Sequence, residues 1–374
     1  FASASKLTGG DSGRGCFVSD WRGFEKNTGL FEAIRGEMSG RDAQESSPRK
    51  SPYKAPRPPQ RTPLGTRYVL GTENPKGKLT VLVHGVGAGC FVFADMQESL
   101  EGEGYRVLRY DCMGCGSSAP PPERKDGSPG PQDAAAHVQE LRGLLDYLQL
   151  SHTPLNIIAH STGATVACLY ADTFPFFVTN MVLLAPAGPG MGRGKLVHGP
   201  AFRTATLLHD MARRGLEGEE QKRWQRGFYS NGEEEMKRAA RFVDMMKKIR
   251  ADNPLSLDAS FEVSLQFGRA AGLRKAVERV GARSNRRVLV LWGERDREVS
   301  ASNMQKWRAA LRRGEAKAHR SAGVVSHHEF QVVKDAAHML FVERPCEVMS
   351  VVLPFLKQGI PEGGVREVVL VRNG

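Results

Sequence analysis

From Arg67 onward, short apolar runs alternate with stretches of helical spacing, and this alternation restricts the possible fold more than any other feature of the chain. Thr80-Val81-Leu82-Val83 precedes a helical stretch from Phe91 to Gly102. Tyr105-Arg106-Val107-Leu108 follows, and then a second helical stretch from Asp133 to Leu148. Leu155-Asn156-Ile157-Ile158, Met181-Val182-Leu183-Leu184 and Arg287-Val288-Leu289-Val290-Leu291 continue the series. Strands and helices in this order argue for an α/β fold built on a mostly parallel, doubly wound sheet. The series breaks between about 191 and 285, where Ala239, Phe242, Val243, Met246 and Ile249 recur at helical spacing. We read residues 191–285 as a helical cap inserted into a core formed by residues 64–190 and 286–358. The apolar stripe is read as packing rather than as a lipid-binding face.

The 374 residues, 40% hydrophobic and 25% charged, fit a globular chain with one large domain and an insertion. No run approaches the roughly eighteen apolar residues of a membrane span. Residues 1–63 are rich in Gly, Ser, Arg and Pro, which denies them a core, so a disordered basic arm is expected with one short helix near Leu30 to Met38. Residues 359–374 are read as a tail or an added edge strand. The net charge of +12 raises the question of a polyanionic partner. Its excess lies in groups such as Arg213-Arg214, Lys222-Arg223, Lys237-Arg238, Lys247-Lys248 and Arg286-Arg287. These alternate with Glu217, Glu219, Glu220 and Glu233-Glu234-Glu235. That pattern is expected of a solvated helical face. Nucleic acid is therefore not expected as a partner, while peripheral contact with an anionic membrane stays open.

Six cysteines, at 16, 90, 112, 115, 168 and 346, do not form a spaced disulfide framework, so a reducing intracellular compartment is favoured. A targeting segment is neither read nor excluded. Cys112-Met113-Gly114-Cys115 lacks a second Cys/His pair at ligand spacing. Neither a redox pair nor a zinc site is expected there.

Ala159-His160-Ser161-Thr162-Gly163 sits between the run ending at Ile158 and the helix-compatible Ala164 to Tyr170. A strand, a tight turn and a helix in succession would strain the serine backbone and push its hydroxyl out of the packed layers. A serine hydroxyl is a poor nucleophile without a base, and the base needs an acid to orient it. His338 follows Phe330-Gln331-Val332-Val333, and Asp296 follows the run from Arg287 to Leu291, so both stand at the C-terminal ends of strands. Glu294, Glu298 and Asp335 are competing acids.

The order Ser161, Asp296, His338, together with His84-Gly85-Val86-Gly87 and Asp111-Cys112-Met113-Gly114-Cys115-Gly116-Ser117-Ser118, resembles the α/β-hydrolase superfamily over residues 64–358. The likeness is to serine esterases and lipases with an inserted cap. Ala159 and Ala337 stand where glycine is common in relatives. The resemblance implies an oxyanion hole formed by the N–H groups of Val86 and Thr162. It also implies that Cys112 and Cys115 occupy variable places in a family loop. No two histidines combine with carboxylates at a zinc spacing, so no metal and no cofactor is expected. His84 is expected to shape its loop, His160 to fill the variable position of the turn, and His327-His328 to sit at a strand entrance.

The function so implied is a serine hydrolase acting on small-molecule carboxylic esters. Phe202, Leu207, Leu208, Met211, Trp224 and Phe228 could line an apolar acyl pocket, favouring lipid-like esters such as monoacylglycerols, or could equally be cap core. Carbon-carbon bond hydrolysis of a dioxo acid is an alternative that relatives perform with the same residue types. Iminopeptidase activity would need amine-binding acids, and none is identified. A catalytically idle hydrolase fold used as a binding module is the alternative from a different class.

Overall fold

The computed structural model describes residues 59–122, 130–188, 227–229, 232–256, 259, 267, 272–284, 286–300, 302–322 and 327–358. All of them belong to the unit Arg57–Gly374. Eight strands form one sheet: β1 (Gln60–Arg61), β2 (Arg67–Leu70), β3 (Leu79–Val83), β4 (Arg106–Tyr110), β5 (Leu155–His160), β6 (Val178–Leu184), β7 (Arg287–Gly293) and β8 (His327–Val333). Their spatial order is β1-β2-β4-β3-β5-β6-β7-β8. The first two are antiparallel additions at one edge, and the other six run parallel. β1 lies at the end of the proline-rich stretch, where the sequence gives no apolar run to mark it.

Every residue of β3, β5 and β7 is buried, as parallel strands covered on both faces require. Helices α1 (Ala94–Gly102), α2 (Ala134–Tyr147), α3 (Gly163–Thr173), α4 (Glu233–Asp252), α5 (Leu273–Gly281), α6 (Ser302–Ala322), α7 (Leu340–Glu343) and α8 (Pro345–Lys357) accompany the strands. Val81, Ile157, Leu183 and Val290 share one core cluster with Leu141 of α2, Val166 of α3, Val277 of α5 and Trp307 of α6. Leu82, Ile158, Val182 and Leu289 are equally buried but lie outside that cluster, on the opposite face of the pleat. α1 and α8, which contact each other, cover β4 and β7. The sheet is therefore wound on both faces, as the alternation predicts. Among the described residues, no helix is long and apolar enough to cross a membrane.

Of the charged groups, one pair departs from the solvated-face reading. Lys237 pairs with Glu233 at 2.8 Å and Glu234 at 3.1 Å on the exposed side of α4, in keeping with a solvated face. Arg286 and Arg287, by contrast, are fully buried. The Arg286 guanidinium donates to the carbonyls of Pro175 and Val178, and Arg287 donates to those of Phe355 and Gln358 and pairs with Glu329 at 2.8 Å. Carbonyl oxygens left over at strand and helix ends recruit these cations inward. Burial, followed by the nearby Arg283, lowers the Arg286 value to about 10.

Asp111, just after β4, ties the edge of the sheet to the loops above it. Its carboxylate pairs with Arg67 of β2 at 3.1 Å and accepts from the amides of Cys90 and Ser117. Burial by itself would raise this carboxyl, but Arg67, His84 and the two amides outweigh it and hold the group below its ordinary value. The folded state therefore binds this proton more weakly than the unfolded chain. The resulting stability is present above the ordinary value of 3.8 and is lost as pH falls through the lower folded value. Asp111→Ala leaves a buried guanidinium unpaired, so urea unfolding at pH 7 should show a loss of about 3–5 kcal/mol; a loss below about 1 kcal/mol would contradict this role.

Candidate active site

β5 ends at His160 and α3 starts at Gly163, leaving two residues for the reversal. Ser161 takes φ +51°, a left-handed conformation that costs a side-chain-bearing residue about 1–2 kcal/mol. Its N–H donates to the Leu184 carbonyl at 3.0 Å, and its carbonyl accepts from Ala164 and Ala187 at 3.1 and 3.0 Å. Neighbouring strand and helix thus hold the strained residue from both sides. A methyl group on Gly163 would lie 2.5 Å from the Val83 carbonyl oxygen, so only glycine lets α3 begin so close to β3. Ala159 is fully buried in the strand and fits where the usual pattern has glycine.

His338 and Asp296 come to the same end of the sheet from the loops after β8 and β7. His338 Nδ1 donates to Asp296 Oδ2 at 2.9 Å, leaving Nε2 as the lone-pair atom. Asp296 Oδ1 accepts from the amides of Glu298 and Val299, both at 2.9 Å, and the side chain is fully buried. The competing acids lie elsewhere: Glu294 and Asp335 both face Arg295, at 3.4 and 3.6 Å. Asp296 is the carboxylate whose oxygen meets His338.

His160 has a larger part than a variable turn position implies. Its Nε2 donates to the His338 carbonyl at 3.0 Å, and the two rings stand 4.7 Å apart. Burial first, and the adjacent His338 second, hold its value well below the ordinary 6.5, so it stays neutral. The residue before Ser161 thereby brings the serine turn against the His338 loop.

The loop after β3 is shaped by His84, as expected: Nδ1 donates to the Gly85 carbonyl at 2.7 Å, and Nε2 accepts from the Cys112 amide at 2.9 Å. Val86 is adjacent to the serine turn, but its N–H donates to Thr162 Oγ1 at 2.7 Å. A Val86 amide serving an oxyanion has to exchange that hydroxyl for the substrate oxygen.

Cys112, His137 and Glu140 each bring one potential metal donor to within 4.8 Å of the others. Glu140 Oε2 already accepts from His137 Nδ1 at 3.1 Å, and burial pushes the Cys112 thiol well above its ordinary value. A protonated thiol beside an internally bonded His-Glu pair is a core cluster rather than a ready ligand set. Cys90, Cys112, Cys115 and Cys168 are all free and buried.

Of the six apolar residues assigned to an acyl pocket, Phe202, Leu207, Leu208, Met211 and Trp224 lie outside the described residues. Phe228 is buried, with its ring 5.2 Å from that of Phe242 in α4, which in turn is 5.7 Å from Phe91. The stripe Phe242, Val243, Met246 and Ile249 is buried on α4, as a packing face should be. Sequence reasoning missed Glu343, a buried carboxylate that accepts from the amides of Ala337 and Tyr229. Its only sequence signal was an acidic residue directly after the apolar run from Met339 to Val342.

A family model described as the alpha/beta hydrolase family matches residues 80–351. A proline iminopeptidase of Xylella fastidiosa (strain 9a5c) is 32% identical over 117 residues, covering 31% of this chain and 34% of that protein. A 2-hydroxy-6-oxononadienedioate/2-hydroxy-6-oxononatrienedioate hydrolase of Paraburkholderia xenovorans (strain LB400) is 33% identical over 115 residues, covering 30% and 36%. The chain thus spans about a third of the length of these relatives. Among solved structures, a thermophilic esterase from Thermogutta terrifontis aligns with TM-score 0.56 at 19% identity, covering 78% of this chain and 93% of the other. An enol-lactonase from Burkholderia xenovorans LB400 aligns with TM-score 0.54 at 21% identity, covering 80% and 100%. These structural likenesses show the fold.

The strain at Ser161 has a measurable consequence. Ser161→Gly should be more stable than Ser161→Ala by about 1 kcal/mol in urea unfolding, because glycine adopts φ +51° without a Cβ clash; equal stability, or a more stable alanine variant, would show that the turn is not strained.

Proposed function

Since the chain belongs to the alpha/beta hydrolase family, we propose that it is a serine hydrolase of carboxylic esters in which Ser161, His338 and Asp296 form the catalytic triad. The observation that carries this reading is the hydrogen bond from His338 Nδ1 to a fully buried Asp296, at a loop held against the turn that bears a left-handed Ser161. Such a pairing fixes the tautomer with the Nε2 lone pair free to take a proton. The esterases among the similar structures agree with ester substrates.

In this mechanism His338 Nε2 takes the Ser161 hydroxyl proton as Oγ attacks the acyl carbon. The new imidazolium is stabilised through Nδ1–H by the Asp296 carboxylate. The carbonyl π electrons move to oxygen, and the oxyanion is received by the amides of Val86 and Thr162, with Val86 leaving the Thr162 hydroxyl as it does so. His338 then returns the proton to the departing alcohol oxygen. Water, deprotonated by the same imidazole, releases the acid and restores Ser161.

Lipid-like esters such as monoacylglycerols are the substrates this reading favours, with Phe228, buried against Phe242, proposed at the wall of the acyl site. The relative named as a 2-hydroxy-6-oxononadienedioate/2-hydroxy-6-oxononatrienedioate hydrolase supports a second reading for this chain, carbon-carbon bond hydrolysis of a dioxo acid with the same three side chains. One substrate panel separates them. Medium and long acyl esters should exceed the shortest ones if the pocket is apolar, whereas a ring-cleavage dioxo acid turned over faster than any ester would favour the second reading.

Ser161→Ala and Asp296→Asn should each lower kcat on a p-nitrophenyl ester by about 10⁴-fold, with the fold retained by circular dichroism. Losses below about tenfold would refute the assignment.

A further inference from the structure

Glu343 closes α7 and is 1% exposed, yet it carries a carboxylate that the mechanism above does not use. One oxygen, Oε1, accepts from the Ala337 amide at 3.0 Å, and the other, Oε2, accepts from the Tyr229 amide at 2.7 Å. Ala337 immediately precedes His338. On the other side of the histidine, the Met339 amide donates to the Gly227 carbonyl at 3.0 Å, and the Met339 carbonyl accepts from the Glu343 amide at 3.0 Å. The segment from Gly227 to Tyr229 is therefore laced to both neighbours of His338, with the Glu343 carboxylate spanning the two. Arg238 of α4 donates to the Glu343 carbonyl at 3.0 Å, and Arg344 pairs with Glu235 of α4 at 2.8 Å, so the same junction also anchors α4.

We infer that Glu343 is a positioning residue for His338, its ionised carboxylate clamping the Ala337 and Tyr229 amides so that the His338 loop and the Gly227–Tyr229 segment are fixed together. This rests on the triad reading for its effect on turnover, but the clamp itself does not require it. A carboxylate suits the task because both amides need acceptors and only an ionised carboxyl offers two equivalent ones. A neutral acid turns one oxygen into a donor, and an amide side chain presents an N–H to an N–H.

The charged and titratable groups around the clamp come from every neighbouring element: Asp296 after β7, His338 after β8, His160 at the end of β5, Arg344 beside Glu343, and Arg238 and Glu235 on α4. Arg295 stacks over the Tyr229 ring at 5.3 Å, and Asp335 receives Arg344 Nε at its carbonyl. Burial is the main reason that the Glu343 value is raised to about 7. The Tyr229 and Ala337 amides and Arg344 oppose this rise, and Asp296 adds to it. Between its ordinary value of 4.5 and about 7 the folded state holds this proton more tightly than the unfolded chain does. Ionising the clamp therefore lowers stability as pH rises through that window, and the clamp works fully only above it.

The test pairs kinetics with a readout that needs no turnover, on wild type and Glu343→Gln. Loss of the Glu343 proton is then required in addition to the ionisation that frees the general base. The acid limb of log kcat against pH should therefore approach a slope of two in wild type and one in Glu343→Gln. At pH 8 the variant should lose about tenfold in kcat, with KM within about twofold. In parallel, the His338 imidazole of histidine-labelled protein, assigned by loss of its signal in His338→Gln, should show a second inflection near pH 7 that Glu343→Gln lacks. A one-proton limb together with a single-inflection titration in wild type overturns the clamp, even if the variant fails to fold. Unchanged kcat, slope and titration in a folded variant overturn it as well. Wild-type activity that persists in Ser161→Ala refutes the hydrolase reading instead, and the imidazole titration then decides the clamp alone.

Discussion

Gly163 allows the first turn of α3 to approach the carbonyl oxygens of Val83 and His84 more closely than any side chain would permit. That approach forces the chain to reverse within two residues of β5, and the reversal puts Ser161 in a left-handed conformation. The parallel pairing of β3, β5 and β6 then supplies the restraint: Ser161 donates to the carbonyl of Leu184, the last residue of β6. Strain of this size persists only because the surrounding hydrogen bonds leave the backbone no alternative.

The same directionality brings the partners together. Parallel strands end on one side of the sheet, so the loops after β3, β5, β7 and β8 meet there although residues far apart in sequence contribute them. His160 illustrates the economy of the arrangement. Buried and neutral, it precedes the serine and holds the His338 carbonyl, so one residue ties the nucleophile turn to the proposed base. Asp296 is held in turn by two amides of its own loop and directs one oxygen at His338. Backbone amides thus fix Asp296, while the Asp296 carboxylate holds the His338 ring and the His160 side chain holds its carbonyl.

Much of this was legible in the sequence because it depends on period and order. Continuous apolar runs marked the parallel strands, and small residues around Ser161 marked a tight reversal. Positions just after strand ends marked Asp296 and His338. What was not legible depends on contacts between distant segments. β1 is two residues long and owes its existence to pairing with β2, which no local pattern records. Arg286 and Arg287 look like surface charge until the carbonyls at strand and helix ends draw them inward. The competition among Asp296, Glu294, Glu298 and Asp335 turns on a few ångströms of loop placement. The Val86 amide meets the Thr162 hydroxyl only because two loops 76 residues apart converge. Glu343 is the clearest case, since one acidic letter beside an apolar run says nothing of the two amides it accepts.

The strained serine is proposed as an activated nucleophile whose reactivity depends on His338. Peptide mapping by mass spectrometry after brief exposure to an alkyl fluorophosphonate tests it most directly. A single phosphonyl adduct on Ser161 is expected in the wild-type chain, with its near-complete loss in folded His338→Gln. An adduct on another residue, or equal labelling of Ser161 without the histidine, would contradict it.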